Sequence, residues 1–230
     1  MWIADRAKKI EAMNKTVLVF TDSHSLCGIG DHNAALMSAL CHAGYRTVCA
    51  QRQEDTPLQK HLLEIGVQYH WYEKNPEEDL SAFLNDKTMA MQVYYKVQPD
   101  LIYFSNGHPL SSFAAMDIAQ ILSIPYVIRE GQVANRLLPS KKEEIFAMRN
   151  HYLNAQNIIT ASNQNLDILH QIFGLPEGFG TCTPSSTDDE FFSPVDLQRR
   201  KQIREKWGIP EDGILCFTTA RFAPNKGFDI

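Results

Sequence analysis

"DLIYFSNGHPLSSFAAMDIAQILSIPYVIRE", residues 100–130, decides the fold. It opens on "DLIYFS" (100–105) and closes on "PYVIRE" (125–130), two short β-rich runs that are apolar at successive positions. A strand with one wet face alternates apolar and polar residues; a continuous run suits a strand covered by helices on both faces. The same unit recurs outward along the chain. "TVLVFTD" (16–22), "TVCA" (47–50) and "VQYHWY" (67–72) precede it, and "NIITA" (157–161) and "GTCTP" (180–184) follow. Helical patterns separate the runs. Repeated βα units imply an α/β fold with a Rossmann-like, doubly wound parallel sheet and helices on both faces. In such sheets ligands sit beyond the C-terminal ends of the strands, so the loops after strands carry the functional reading.

The helices have readable ends. The pattern over 31–43 stops at Gly44 and the next, over 57–65, stops at Gly66; both glycines stand where a left-handed C-cap belongs. A longer pattern, 76–98, carries Glu77, Glu78 and Asp79 in its first turn and is followed by Pro99. Ser162 is placed to cap a helix that runs to Phe173 and is closed by Gly174.

Composition bounds the partners. With 44% hydrophobic and 21% charged residues, the 230-residue chain reads as globular rather than disordered. A net charge of −5 excludes a broadly basic surface for nucleic acid or anionic membranes. The one basic cluster, "RRKQIREK" (199–206), reads as a solvated helix face. The five cysteines are odd in number, scattered and without a CxxC pair, which suits reduced thiols in the cytoplasm and argues against a zinc site. The stretch "MWIADRAKKIEAMNK" has no apolar core of signal-peptide length, and nowhere do ~18 apolar residues run together.

Three loops follow strands. "SHSLCGIGD" (23–31) offers Gly28 and Gly30 for close backbone approach, with a helix N-terminus behind them for an anion. Asp22 and His24 border the same loop. "NGHPLSS" places His108 at the crevice mouth. The run ending on Arg129 and Glu130 continues into "GQVANR" with Arg136. Glu130 is read either as a group for an acceptor hydroxyl or as the partner of Arg129 within the loop. The chain has no G-x-S-x-G elbow and no G-x-x-x-x-G-K-[ST] loop, so hydrolase and P-loop readings lack their motifs.

Three stretches together resemble the N-terminal half of a group 1 (family 4) retaining glycosyltransferase of the GT-B fold. "CGIGDHNAALMSALCHAGYRTV" is similar to that family's glycine loop and following helix. "PDLIYFSNGHPLSSFAAMDIAQILSIPYVIREG" is similar to its strand–helix–strand core, and "NIITASNQNLDILHQIFGLPEGFGTCTPSSTDDEFFSP" to its passage into the interdomain linker. "REKWGIPEDGILCFTTARFAPNKGFDI" then resembles the opening of the family's second domain. The resemblance implies an N-terminal domain over 1–184, a linker over 185–212, and the first strand (214–220) and turn of a cut nucleotide-sugar-binding domain over 213–230.

It further implies a cytoplasmic, metal-independent hexosyl transfer from a nucleotide-sugar donor to a hydroxyl of a saccharide, lipid or small-molecule acceptor, with retention. Arg221 and Lys226 match the family's pair on the donor diphosphate, where fixed cations neutralise the charge that builds on the leaving group. Gly28 and Gly30 fall on the donor side. Asp22, His24 and Arg136 are acceptor-side candidates, and His108 and Glu130 the catalytic candidates. Two departures stand out: "PSSTD" (184–188) replaces a "PNGVD"-like linker, and Gly131 stands where many members carry a histidine after the fifth strand. The competing readings are a sugar-nucleotide epimerase of the same fold and a non-catalytic partner domain. The 230 residues alone are expected to transfer no sugar, to hold nucleotide sugars weakly, and to self-associate, if at all, through an exposed strand over 214–220.

Overall fold

The computed structural model describes residues 15–21, 27–52, 55–72, 86–109, 111–133, 142–185, 193–218 and 220. They fall into two compact units, Met1–Ser185 and Ser186–Ile230. Unit one carries β1 (Thr16–Thr21), α1 (Gly28–Ala43), β2 (Arg46–Arg52), α2 (Pro57–Glu64), β3 (Gln68–Tyr72), α3 (Lys87–Val97) and β4 (Leu101–Asn106). It continues with α4 (Phe113–Ile121), β5 (Tyr126–Glu130), α5 (Lys142–Asn154), β6 (Asn157–Thr160), α6 (Asn163–Phe173) and β7 (Thr181–Cys182). All seven strands pair in parallel, in the order β3-β2-β1-β4-β5-β6-β7. This is the Rossmann-like α/β sheet expected from the continuous apolar runs; every residue of β1 is buried.

Strand alternation divides the core. Leu18, Phe20, Ile102, Phe104, Tyr126 and Ile128 face α3, α4, α5 and α6. Val19, Cys49 and Tyr103 face α1 and α2 through Ala34, Met37 and Leu62. On the first face Phe20, Phe104 and Tyr126 stack edge to face, with centroids 5.8 and 5.5 Å apart. Burial of side chains this size contributes about 1.5–3 kcal/mol each. The Tyr94 hydroxyl donates to the Ala115 carbonyl at 2.9 Å, so α3 and α4 are joined by a hydrogen bond as well as by apolar contact.

Local chemistry sets the helix ends. Gly44 closes α1 at φ 96, a conformation that glycine adopts without a Cβ penalty. Ser162 accepts from Asn165 N at the start of α6, as its position in the sequence predicts. Two boundaries differ from expectation. Helix α1 starts at Gly28 rather than at residue 31, because Cys27 Sγ accepts from Gly30 N at 3.4 Å and serves as N-cap. Gly28 and Gly30 therefore belong to the first helical turn. Helix α3 starts at Lys87, where Asp86 Oδ1 accepts from Thr88 N and Met89 N; the earlier part of the pattern over 76–98 lies outside the described residues up to Asp86.

The second unit holds α7 (Leu197–Lys206), capped by Asp196 and with no buried residue, in keeping with a solvated basic helix. The Arg204 guanidinium donates to the carbonyls of Pro210 and Gly213 and folds the following turn back on the helix. The strand expected over 214–220 is not formed in its described part. Residues 214–218 are irregular, with Ile214 94% and Phe217 82% exposed. No described strand of this unit offers it a ladder, and a lone strand has no independent stability.

Candidate functional site

The strand order reverses between β1 and β4: the chain leaves β1 for α1 on one face and leaves β4 for α4 on the other. A crevice opens at such a switch point, at the C-terminal ends of the strands. Three buried polar residues tie α1 to its floor. Ser105 Oγ donates to Asn33 Oδ1 at 2.6 Å, Asn33 Nδ2 donates to Thr21 Oγ1 at 3.2 Å, and Thr21 Oγ1 donates to the Ser105 carbonyl at 3.1 Å. All three residues are at most 2% exposed. Buried, mutually satisfied polar groups fix geometry more than they add net stability. Here they fix where the N-terminus of α1 stands over the ends of β1 and β4.

Arg129 shares this face, since it pairs in register with Ser105, which pairs with Thr21. Beside it, His32 Nε2 and the Tyr103 hydroxyl are 3.0 Å apart with their rings stacked. Burial, then the Arg129 charge, pull the His32 imidazole down to about 4, so it is neutral at physiological pH. Burial raises the Tyr103 phenol to about 12, against a smaller lowering by Arg129. The pair is therefore a neutral hydrogen bond next to a fixed cation.

Glu130, the next residue of β5, points to the opposite face. It is fully buried, and its Oε1 accepts from the Tyr152 hydroxyl at 2.6 Å and from Asn106 Nδ2 at 3.1 Å. Burial and then the Glu130 charge push the Tyr152 phenol well up, so Tyr152 stays the donor. This carboxylate clasps β4, β5 and α5 together directly beneath the loop that follows β5.

Gly131 packs between the end of β4 and the first turn of α1. Its N–H donates to the Asn106 carbonyl at 2.9 Å. A Cβ there would lie 2.9 Å from Ile29 Cδ1 and 3.2 Å from the Asn106 carbonyl oxygen. Ile29, in the first turn of α1, fills the space a side chain on residue 131 would need. The glycine at residue 131 is thus matched by an isoleucine from α1.

Among the residues singled out from sequence, Gly28 begins α1 with nothing within 4 Å of where its Cβ would stand. Gly30 donates to the N-cap sulfur. His108 is half-buried in the turn after β4, where its carbonyl accepts from Ser111 N at 2.9 Å. Asp22, His24, Arg136, Arg221 and Lys226 lie outside the described residues. The first turn of α1 and the C-terminal ends of β4 and β5 lie at the same edge of the sheet and meet at Ile29, Asn106 and Gly131. Asn33, His32 and Tyr103 were not singled out from sequence; the available signal was a run of polar residues at positions where a helix must face the sheet. All five cysteines are free thiols. Among the described residues no helix is long and apolar enough to cross a membrane.

No family model matches the chain. Over 79 residues, 34% of the chain, it is 30% identical to mannosylfructose-phosphate synthase of Agrobacterium fabrum and covers 17% of that protein. The fold is similar to that of a glycosyltransferase from Rickettsia africae, with a TM-score of 0.59 and 15% identity, over 86% of this chain and 51% of that one. It is also similar to Anabaena Alr3699/HepE in complex with UDP and glucose, with a TM-score of 0.62 and 13% identity, over 85% and 50% of the two chains. A third likeness is to UDP-GlcNAc 2-epimerase of Neisseria meningitidis bound to UDP-GlcNAc, with a TM-score of 0.52 and 15% identity, over 86% and 55%. The chain spans about half the length of each of these structures. At these identities the likeness is one of fold: a glycosyltransferase-like Rossmann half.

Proposed function

We propose that the chain is the acceptor-side half of a retaining glycosyltransferase of group 1 (family 4), moving a hexosyl group from a nucleotide-sugar donor to an acceptor hydroxyl. The observation that carries this reading is the meeting of the first turn of α1 with the ends of β4 and β5, at Ile29, Asn106 and Gly131, beside the switch between β1 and β4. The domain division over 1–184, 185–212 and 213–230 belongs to the same proposal. Gly28 and Gly30 admit the donor's phosphates to the first turn of α1, whose unpaired N–H groups favour an anion. Arg221 and Lys226 neutralise the charge that builds on the nucleoside diphosphate as the sugar–phosphate bond breaks. Asp22, His24 and Arg136 border the acceptor, and His108 is the catalytic candidate among the described loop residues. Glu130, bonded by Tyr152 and Asn106 on the opposite face of the sheet, supports the turn that follows β5.

A sugar-nucleotide epimerase is the second reading, favoured by the shared fold with UDP-GlcNAc 2-epimerase. An assay of the whole protein against UDP-, GDP- and ADP-sugars separates the two. Transfer releases nucleoside diphosphate only when an acceptor is present. Epimerisation returns an isomeric nucleotide sugar without one, and that outcome would replace the first reading.

A further inference from the structure

Arg129 is 5% exposed, and its Nη1 is buried with no hydrogen-bond partner among the described residues. An unpaired buried donor costs about 1–3 kcal/mol, and more when charged. A guanidinium cannot shed its proton to escape that cost. Hydrophobic neighbours of the same size would be cheaper, so the charge calls for a use.

Its placement suggests the use. Thr21, Ser105 and Arg129 form one register row on the face under α1, where Asn33 binds the first two. The Arg129 charge acts on Tyr103 and on His32 in the second turn of α1. Asn33 of α1 binds this row, and Ile29 in the first turn of α1 stands over Gly131, two residues beyond Arg129, so the row ends beneath the positive end of a 16-residue helix. Two carboxylates among the described residues belong to the elements around Arg129. Glu130 is bonded on the opposite face by Tyr152 and Asn106, and Asp31 is exposed on α1.

We propose that Arg129 and the N-terminus of α1 form an anion subsite that takes a phosphate group of a ligand bound in the crevice. A phosphate has oxygens enough to meet both the planar guanidinium fork and the helix N–H groups, and its double charge uses both positive elements. The inference rests on reading the crevice as a substrate site, but not on sugar transfer taking place there. The phosphate can belong to a nucleotide's diphosphate or to a phosphorylated acceptor; the chemistry at Arg129 is the same.

The test is thermal melting of the protein and of Arg129→Met at constant ionic strength, titrated with inorganic phosphate, pyrophosphate or glucose 6-phosphate. One subsite alone gives millimolar binding, and at tenfold excess over Kd a bound phosphate raises the melting temperature by about 3–5 °C. Arg129→Met is expected to melt at the same or a higher temperature without ligand, because an unpaired buried charge is gone. It should lose most of the phosphate-dependent shift. General salting-out by phosphate moves both proteins equally and so drops out of the comparison. A larger Arg129-dependent shift with pyrophosphate marks a donor diphosphate, and a larger one with glucose 6-phosphate marks a phosphorylated acceptor. If Arg129→Met does not fold, Arg129→Lys keeps the charge without the fork and should weaken binding about tenfold. Equal shifts in the protein and its variants, or no shift in either, would overturn the proposal, and would do so without bearing on the transfer assay.

Discussion

Replacing Tyr152 by phenylalanine tests whether the Glu130 carboxylate is ionised and held by its clasp. The substitution removes one atom, the hydroxyl oxygen 2.6 Å from Glu130 Oε1, in a residue with no exposed surface. The ring's stacking on Phe173, with centroids 4.6 Å apart, is kept. A hydrogen bond to a charged, buried acceptor contributes about 1.5–3 kcal/mol. Asn106 Nδ2, at 3.1 Å, remains as a second donor, which favours the lower half of that range. The expected loss is about 2 kcal/mol, or roughly 4–8 °C in melting temperature for a domain this size. Urea denaturation of Tyr152→Phe, Glu130→Gln and the double variant measures it. The coupling in that cycle should be at least about 1 kcal/mol, because the two groups touch. A loss under about 0.5 kcal/mol with no coupling would mean that the carboxylate is held by other groups, and the clasp beneath the β5 loop would have to be given up.

Gly131→Ala is expected to destabilise by about 1–3 kcal/mol, since its Cβ meets Ile29 Cδ1 at 2.9 Å and the Asn106 carbonyl at 3.2 Å. Adding Ile29→Ala should recover part of that loss, and a double-mutant cycle without recovery would remove Ile29 as the reason for the glycine. Asp100 Oδ2 accepts from Thr16 N at 2.7 Å and Lys15 Nζ lies 3.0 Å from Oδ1; the backbone bond first, then the lysine, hold its carboxyl below the usual carboxylate range. A depressed folded value means its stabilisation is complete above the unfolded pKa of about 3.9 and is lost as pH falls through the folded one. Asp100→Asn should therefore be less stable than the parent at pH 7 and at pH 5 by the same amount. The effect is small because the side chain is 38% exposed. The difference should narrow progressively as pH falls below about 4, and a gap that stays unchanged from about pH 5 down to about pH 2 would sink the assignment.

The parallel sheet was legible because β1, β4 and β5 are continuous apolar runs, a pattern that only two-sided burial permits. Gly44, Gly174 and Ser162 were legible because capping is local chemistry, written within one turn. The start of α1 was not, since a cysteine N-cap has no strong signature and the glycines read as loop. The switch between β1 and β4 lies in strand order, which no local window contains. Arg129 and Glu130 read as a possible pair because they are adjacent; a strand sends neighbours to opposite faces, where one meets α1 and the other Tyr152. The residues over 214–220 have the composition of a strand, yet the described part forms none, because strand propensity needs a neighbouring strand to act on.

Gly28→Val tests the crevice most directly. Nothing lies within 4 Å of the position its Cβ would take, so the valine has room in the unliganded fold. It would intrude only on a ligand approaching the first turn of α1. Turnover of nucleotide sugar by the whole protein and by Gly28→Val should be measured beside their melting temperatures. The account predicts a melting temperature within a degree or two of the parent and transfer reduced at least about a hundredfold, the scale of a lost close contact to the reacting complex. Normal turnover by the folded variant would contradict it and place the donor away from this crevice.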